Sequence, residues 1–306
     1  MKPITCREDL LDRYPRLPLG QEIHFRGFEL QYLAAMRQIF LSGEPHADRT
    51  GVGTLSLFGT QMRHDMRIGF PLLTTKKMPL ESIFNELVWF LSGSTNAFDL
   101  PENTQKWWTP WADEYGALGP IYGRQLRDAR SFDAGGKYTV DQLRQLVNML
   151  DTQPNSRRLI MSTWNAADVQ HMRLPCCHGL VIQFKTHEGD KPGLSLSTYQ
   201  RSADHPVGVP VNLASYSLLL LMIAWATRRE ARDVVYSFGD YHIYDNQHDG
   251  CFEQLGRELR KIPRVAITLD RDTFDDSFEA LMSIRWEHIE LTNYDPHPAI
   301  KFPVAV

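Results

Sequence analysis

The sequence predicts an α+β protein in which a mixed β-sheet is backed by helices. Long segments with helical apolar periodicity occur beside short strand-like segments, and the two kinds do not alternate regularly. Of the 306 residues, 42% are hydrophobic and 23% are charged, which is typical of a soluble globular protein with a substantial core. The chain also lacks internal repeats and low-complexity runs, so a repeat architecture is not expected.

Residues 1–27 are polar, charged and interrupted by prolines, so we interpret them as an N-terminal extension of a single domain that spans 28–306. The segment Phe28–Leu41 (FELQYLAAMRQIFL) suits an amphipathic helix. Small, apolar and polar residues alternate around glycines in Gly51–Met66, which predicts strands joined by tight turns.

Further helical patterns occur at Leu80–Ser92 and Val140–Leu150, and the most apolar stretch predicts a central buried helix over Asn212–Arg228. The segment Lys185–Ser197 contains two glycines and a proline, which favour a hairpin with a generous loop. Strands are predicted at Leu159–Thr163, Gly179–Phe184 and Val234–Phe238.

The net charge of −4 gives no overall basic field, so binding to nucleic acid is not expected, whereas a small anion held by a few arginines is compatible. The longest apolar run, Tyr216–Ala226, is about half of the roughly 20 residues that span a membrane, so no membrane association is expected. The N-terminus lacks the apolar core of a signal peptide, and the four cysteines show no C-x-x-C spacing. We therefore expect a cytoplasmic protein with free thiols.

Cys177 is followed by His178. A thiol beside an imidazole or arginines can shift toward the thiolate, which is the form that attacks carbon, although such a pair is also commonly structural. A zinc site formed by Cys176, Cys177 and His178 is not expected, because adjacent strand residues point to opposite faces and no fourth ligand is evident.

Four arginines lie in polar, turn-like contexts, and guanidinium groups match phosphate oxygens with forked, charge-assisted hydrogen bonds. Together with Ser202 they could enclose one phosphate, whereas each arginine alone is more commonly a solvated surface charge. They are Arg49, Arg157, Arg158 and Arg201.

Asn212 opens the most apolar helix, where its amide is either an N-cap or a donor and acceptor for a ligand such as the O4 and N3–H edge of uracil. Glu86 lies inside an apolar helix (FNELVWFL), where a carboxylate is costly unless it is ion-paired or used for proton transfer.

The tryptophans Trp107, Trp108 and Trp111 either stack on a flat heterocycle or belong to the core. His242 and Tyr244 are two residues apart in GDYHIY, so they share one face of a strand and could bind a sugar hydroxyl.

Taken in order, these segments resemble the thymidylate synthase family from about Tyr32 to Val306. Several ordered stretches over nearly the full chain carry the resemblance: DRTGVGTLSLFGTQMR, GFPLLTTKK, NELVWFLSGSTN, ALGPIYGRQLR, NSRRLIMSTWN, LPCCHG, STYQRSADHPVGVPVNLASY, GDYHIY and YDPHPAIKFPVAV.

The resemblance implies a thymidylate-synthase-like catalytic domain over 28–306 and a homodimer that forms through one sheet face and shares its active sites. It implies that Arg49, Arg201 and Ser202 bind the nucleotide phosphate and that Arg157 and Arg158 reach the partner's site. Four further nucleotide contacts are implied, from Gln200, Asn212, His242 and Tyr244.

In the implied mechanism, Cys177 adds to C6 of dUMP, and C5 then captures the methylene of 5,10-methylenetetrahydrofolate. Relatives that act on the cytosine nucleotide carry aspartate at the Asn212 position, so asparagine favours dUMP. The C-terminal PVAV would close over the site and exclude water. Protons would be handled by Glu86, Tyr122, His178 and Asp204. Folate contacts are implied for Trp108, Trp111, Leu174, Asp204 and Val306.

Five positions depart from the family pattern, and we expect them to line one region around the folate and the exocyclic methylene. Four are replacements of a usual residue: Cys176 for proline, Thr109 for aspartate, Val211 for phenylalanine and Gln247 for histidine. The fifth is one inserted residue before Gln183, which would reverse the facing of the strand unless a bulge absorbs it. Of the two adjacent thiols, Cys177 is favoured because the histidine follows it.

These departures favour a hydroxymethylase of the phage type, in which water attacks the methylene and the product is 5-hydroxymethyl-dUMP. The alternative is a thymidylate synthase, in which hydride transfer gives dTMP and dihydrofolate. A second alternative is an inactive nucleotide- or RNA-binding regulator, which the presence of all the catalytic residue types disfavours. A phage-encoded enzyme would act in the host cytoplasm.

Overall fold

The computed structural model describes residues 27–48, 50–133 and 136–304. Six of its strands form one sheet: β1 (Glu44–His46), β2 (Thr54–Asp65), β5 (Ile160–Met161), β6 (Ile182–His187), β7 (Gly193–Asp204) and β8 (Glu230–Tyr244). Two hairpin-like pairs lie apart from it: β3 (Ala129–Asp133) with β4 (Gly136–Val140), and β9 (Arg264–Ile267) with β10 (Ile289–Thr292). The strand order in the main sheet is β1-β2-β8-β7-β6-β5.

The main sheet is mixed, because β7 and β8 pair in parallel and the other neighbours pair antiparallel. The helices are α1 (Phe28–Ser42), α2 (Leu80–Ser92), α3 (Glu102–Gln105), α4 (Tyr122–Asp128), α5 (Gln142–Thr152), α6 (Gly208–Ala226), α7 (His248–Leu255) and α8 (Ser277–Met282). The predicted α+β class with a sheet backed by helices is confirmed.

Helix α6 makes the crossover that parallel neighbours require, since it leads from β7 to β8 and packs on both. Its sequence is apolar around its whole circumference, as expected for a helix covered on all sides. Its length and composition would allow it to cross a membrane, but most of the helix is buried inside the protein. It is therefore the core helix that the sequence predicts.

Helix α6 begins at Gly208, four residues before the predicted start. Asn212 thus lies within the helix, and the interpretation of its amide as an N-cap is wrong. The amide points instead toward β7, where it meets another buried amide.

The region Gly51–Met66 does not form several strands joined by tight turns. It forms the single strand β2, which pairs with β8 along nearly its whole length. Gly59 lies inside this strand with φ +84°, a conformation that glycine adopts without strain. The glycine therefore permits a local distortion without ending the strand.

A bulge precedes β6. Leu180 donates its amide hydrogen to the carbonyl of Tyr199, and the amide of Tyr199 donates to the carbonyl of Val181, so two residues oppose one. Such a bulge is one of the two outcomes expected for an inserted residue before Gln183. Downstream of it, Ile182 and Phe184 face the core and Gln183 faces outward.

Other boundaries differ by a few residues. Helix α5 begins at Gln142, two residues after the predicted start, because Val140 ends β4 and the Asp141 carboxylate accepts a hydrogen bond from the Arg144 amide and caps the helix. The predicted hairpin over Lys185–Ser197 forms with a loop of residues 188–192 between β6 and β7. Strand β8 is longer than predicted and ends on Tyr244.

Candidate active site

Cys177 lies in the segment that leads into the bulge, beside the first residue of α4. That residue, Tyr122, accepts a hydrogen bond from the Cys177 amide at 2.8 Å, and its hydroxyl oxygen is 3.5 Å from the Cys177 Sγ. Burial raises the pKa of the Cys177 thiol, while the hydrogen bond with Tyr122 and the positive charge of Arg201 oppose this rise. The thiol is therefore placed next to the two groups that favour its anion.

Cys176 has a different environment. Its side chain is fully buried, and its sulfur packs 3.9 Å from the Sδ of Met172. Burial raises the pKa of its thiol to about 12. Of the two adjacent cysteines, only Cys177 remains partly exposed.

Arg201 is tied to the same segment. Its guanidinium donates hydrogen bonds to the carbonyl oxygens of Cys176 and Pro175, both at 3.0 Å. It also lies over the ring of Trp164, 5.5 Å from the ring centroid. These contacts fix a cation near Cys177, and they leave part of the guanidinium available for an anion.

His178 is turned away from the thiol. Its Nδ1 is 2.9 Å from the hydroxyl of Tyr216, and its ring stacks on Tyr122 with 4.4 Å between centroids. Burial lowers the pKa of this imidazole to about 3, so the ring is neutral at physiological pH. The expectation that the adjacent histidine activates Cys177 directly is wrong, because no hydrogen bond joins the two side chains in the part of the chain that the structure describes.

Glu86 is buried in α2 and accepts a hydrogen bond from the Nε1 of Trp108 at 2.7 Å. Burial raises the pKa of its carboxyl to about 7, and the bond from Trp108 opposes the rise. Among the described residues it has no ion-pair partner. The alternative of proton transfer is thus the one that fits this carboxyl, which can gain or lose a proton near neutral pH.

Trp108 connects Glu86 to Tyr122. The Trp108 ring lies edge-on to Tyr122 with 6.0 Å between centroids and is almost fully buried. Trp111 and Leu174 are half-buried and pack against the core nearby. The tryptophans therefore contribute to the core, and Trp108 also orients the carboxyl of Glu86.

Asn212 and Gln200 form a buried amide pair between α6 and β7. The Nδ2 of Asn212 donates to the Oε1 of Gln200 at 3.3 Å, and the hydroxyl of Tyr236 donates to the same oxygen at 2.8 Å. The Nε2 of Gln200 donates to the carbonyl of Ser202 at 2.9 Å. Because Gln200 fixes the orientation of the Asn212 amide, one N–H and the carbonyl oxygen of its side chain have no partner among the described residues and can contact a ligand.

His242 and Tyr244 lie on the same face near the end of β8, as their spacing predicts, with their rings 5.2 Å apart. The Nδ1 of His242 is 2.7 Å from a carboxylate oxygen of Asp240. In the parallel register, Ser202 lies opposite Asp240, and Asp204 lies opposite His242. The two strands therefore bring predicted phosphate, sugar and folate residues to one end of the sheet.

Asp204 ends β7, and burial raises the pKa of its carboxyl to about 6. Its Oδ2 accepts a hydrogen bond from the Nε2 of Gln247 at 3.1 Å. The same nitrogen donates to the carbonyl of Pro303 at 2.9 Å, so the C-terminal segment reaches the end of β7.

Four residues of the predicted site do not join the group described above. Two of them lie elsewhere on the surface, and two lie outside the described residues. Arg157 and Arg158 are exposed in the turn before the edge strand β5. Their guanidinium groups have no hydrogen-bond or ion-pair partner among residues 27–48, 50–133 and 136–304. Arg49 and Val306 lie outside the described residues.

The five departures from the family pattern do not line one region. Cys176 is buried, and Gln183 faces the outer side of the sheet. Thr109 is exposed, Val211 is half-buried beside Asn212, and Gln247 is buried next to Asp204. Because Gln183 faces outward and Thr109 is exposed, the expectation that all five positions line one region is corrected.

The site also contains residues that the sequence does not single out. Tyr216 holds His178, Tyr236 holds Gln200, and Gln247 joins Asp204 to the C-terminal segment. A tyrosine in the apolar run of α6 was one available signal, because a buried hydroxyl requires a partner. No group of three or more histidine, cysteine or acidic side chains that could hold a metal ion occurs in the described part of the chain.

A comparison with protein families supplies independent information. The family model described as thymidylate synthase matches residues 30–306, which is nearly the whole chain.

Proposed function

The chain belongs to the thymidylate synthase family, whose members transfer a one-carbon unit from methylenetetrahydrofolate to C5 of dUMP, and we propose that this chain forms 5-hydroxymethyl-dUMP. In this reaction the Cys177 thiolate adds to C6 of the pyrimidine, and the resulting carbanion at C5 bonds to the methylene. A base then removes the C5 proton, tetrahydrofolate leaves to give an exocyclic methylene, and water adds to that methylene. Cys177 is then expelled from C6.

The residues of the site support the addition step. Arg201 favours the thiolate of Cys177 through its charge, and the Tyr122 hydroxyl lies within reach of the sulfur. Asn212 presents an N–H and a carbonyl oxygen, which match O4 and N3–H of uracil. Glu86 can take up and return a proton at O4 through ordered water, because its pKa is about 7.

Val211 is the observation that carries the hydroxymethyl product. It is half-buried on α6 next to Asn212, at the position where the family resemblance places phenylalanine. A valine fills much less volume than a phenylalanine, so it leaves room for water beside the pyrimidine. Water that reaches the methylene would intercept it before hydride transfer.

Formation of dTMP is the second candidate, and the hydrogen bond from Gln247 to Pro303 favours it. A C-terminal segment held over the site would exclude water and protect the methylene until hydride from tetrahydrofolate reduces it. The products of this route are dTMP and dihydrofolate.

The deciding experiment uses pure protein, dUMP labelled with tritium at C5, and 5,10-methylenetetrahydrofolate. A hydroxymethyl product without dihydrofolate absorbance supports the proposal, and a methyl product with dihydrofolate supports a thymidylate synthase. Retention of tritium with normal dUMP binding would instead indicate an inactive nucleotide-binding protein. The Val211→Phe variant should raise the share of methyl product, whereas the exposed Gln145→Leu should not.

We also propose that two copies of the chain pair through the outer face of the main sheet. This face carries exposed apolar side chains from β5, from β7 and from the bulge before β6, namely Ile160, Tyr199 and Val181. Arg157 and Arg158 lie at the β5 edge of the same sheet and have no partner in the described part of their own chain. Their position fits a role in the phosphate site of a second subunit.

Members of the family are soluble and cytoplasmic in general, and we propose the same location for this protein. The N-terminal segment 1–27 is proposed to be an extension outside the catalytic domain, 28–306. Trp108, Trp111, Leu174, Asp204 and Val306 are proposed to contact the folate.

A further inference from the structure

Gln247, one of the departures from the family pattern, forms three hydrogen bonds through its side chain. It ends the short turn Asp245–Gln247 that follows β8, and its side chain is 1% exposed. Its Nε2 donates to Asp204 at 3.1 Å and to the carbonyl of Pro303 at 2.9 Å. Its Oε1 accepts from the amide of Tyr244 at 3.0 Å.

The orientation of this amide is fixed by its partners. A carboxylate and a carbonyl oxygen can only accept hydrogen bonds, so the NH₂ group must face Asp204 and Pro303. The carbonyl oxygen then faces the Tyr244 amide, which can only donate. An imidazole has two ring nitrogens and could serve at most two of these three partners.

The C-terminal segment has further contacts around this amide. The Phe302 ring lies against Gly250 of α7, where a Cβ would come within 2.6 Å of the ring. The ammonium of Lys76 lies 4.7 Å from the centroid of the same ring. The segment is therefore seated on α7 by Phe302 and joined to β7 and β8 by Gln247.

We propose that Gln247 is a positioning residue that couples closure of the C-terminal segment to the contact between the Asp204 carboxyl and the folate, and to the end of β8. The proposal rests on the proposed one-carbon transfer from folate. Through this buried amide, the affinity for folate depends on whether the C-terminal segment is seated. Gln247 touches neither reacting carbon, so its effect is exerted through Asp204 and the segment.

The test is a double-mutant cycle on folate binding, which needs no turnover. One change is Gln247→Met, which keeps the side-chain length and removes all three hydrogen bonds. The other is removal of residues 303–306. Binding of tetrahydrofolate to the dUMP complex is measured by quenching of tryptophan fluorescence, with dUMP affinity measured separately.

If Gln247 acts through the segment, Gln247→Met weakens tetrahydrofolate binding about tenfold in the full-length protein and has little further effect after the truncation. The dUMP affinity stays within about twofold. Additive effects of the two changes, or unchanged folate binding in Gln247→Met, would overturn the proposal. Absence of any dUMP-dependent folate binding by the wild-type protein would instead contradict the proposed function.

A second variant keeps the test valid if Gln247→Met does not fold. Gly250→Ala places a methyl group where Phe302 packs and should unseat the segment while leaving the amide intact. It should weaken folate binding and raise the KM for methylenetetrahydrofolate more than it lowers kcat. Gln247→His should give an intermediate loss, since it can keep two contacts. Gln145→Leu on the exposed face of α5 is the matched control and should change neither quantity.

Discussion

The two adjacent thiols differ in what surrounds each sulfur. Cys177 has a hydroxyl and a guanidinium nearby, whereas Cys176 is packed against the sulfur of Met172. Burial raises the pKa of both thiols, but only at Cys177 does the positive charge of Arg201 oppose the rise. The difference arises because the chain turns between them and sends one side chain into the core.

Replacement of Cys177 by serine should lower turnover on the order of 10⁴-fold or more while dUMP affinity stays within about threefold, because the nucleophile is lost and the binding residues remain. Cys176→Ser should keep most of the activity and lose about 1–2 kcal/mol of stability from the buried contact. Steady-state kinetics and urea unfolding measure the two effects. Loss of turnover in Cys176→Ser with a normal fold would reverse the assignment.

Glu86 should make stability depend on pH. Its pKa is raised from about 4.5 to about 7, so its favourable contribution is fully present below pH 4.5 and is lost as the pH rises through 7. Glu86→Gln keeps an acceptor for Trp108 and removes this loss. Its unfolding free energy relative to wild type should therefore increase by roughly 2–3 kcal/mol between pH 5 and pH 8. A pH-independent difference in urea unfolding would show that the carboxyl titrates normally.

Residue types and their order were enough to select candidate residues for the site, but they did not predict the contacts between those residues. The sequence indicates Cys177, Glu86 and Asn212 as candidates, but it cannot show that Glu86 receives the Trp108 N–H. It also misled for His178, because adjacency in sequence does not set the direction of a side chain. Its imidazole is held by Tyr216, which lies 38 positions along the chain.

At the level of elements, the segment before β6 depends on one glycine. Gly179 has φ +64°, and a Cβ there would lie 2.0 Å from the Tyr216 hydroxyl. The glycine thus allows both the backbone turn and the contact between Tyr216 and His178. It is followed directly by the bulge, so the facing of β6 depends on the same turn.

Gly179→Ala should destabilise the protein by more than about 2 kcal/mol and lower activity, because both backbone strain and a steric clash oppose it. Gly59→Ala is the matched control, since Gly59 also has positive φ but has no atom within 4 Å of a Cβ. Its cost should be close to 1 kcal/mol from strain alone. Equal losses in thermal or urea unfolding would mean that the clash with Tyr216 relaxes freely.

Helix and strand types were predictable where the apolar pattern was long, as in α1, α2 and α6. The ends of helices and strands were less predictable, because they depend on single residues, such as caps and glycines, that leave no periodic pattern in the sequence. Asp141 moves the start of α5 by capping it, and Gly59 stays inside β2 although glycines commonly mark turns. The bulge at Leu180 and Val181 was foreseeable only as one of two ways to absorb an inserted residue.

At the level of the whole molecule, the proposed dimer shares its active sites. Each site would then need Cys177 from one chain and Arg157 and Arg158 from the other. Mixing Cys177→Ser with the double variant Arg157→Glu/Arg158→Glu should then restore activity. Each mixed dimer would contain one intact site, so random pairing should recover about one quarter of wild-type activity. Each variant alone should be nearly inactive. A mixture as inactive as its components, with dimers present by light scattering, would place both arginines outside the partner's site.

The overall class was predictable because it follows from the kinds of elements, but the strand order was not. Local pattern cannot show that β2 pairs with β8 or that β7 and β8 run parallel. Those pairings place Asp204 beside His242 and so assemble the candidate site. Sequence spacing alone leaves these two residues 38 positions apart.

The pairing of β2 (Thr54–Asp65) with β8 (Glu230–Tyr244) also has a consequence for biosynthesis. It joins parts of the chain that are far apart, which gives the fold a high contact order and predicts slow folding. Most of the polypeptide must be synthesised before β8, which lies between β2 and β7, can enter the sheet. Until then β2 has an unpaired edge, and the nascent chain would depend on chaperones to avoid association through it.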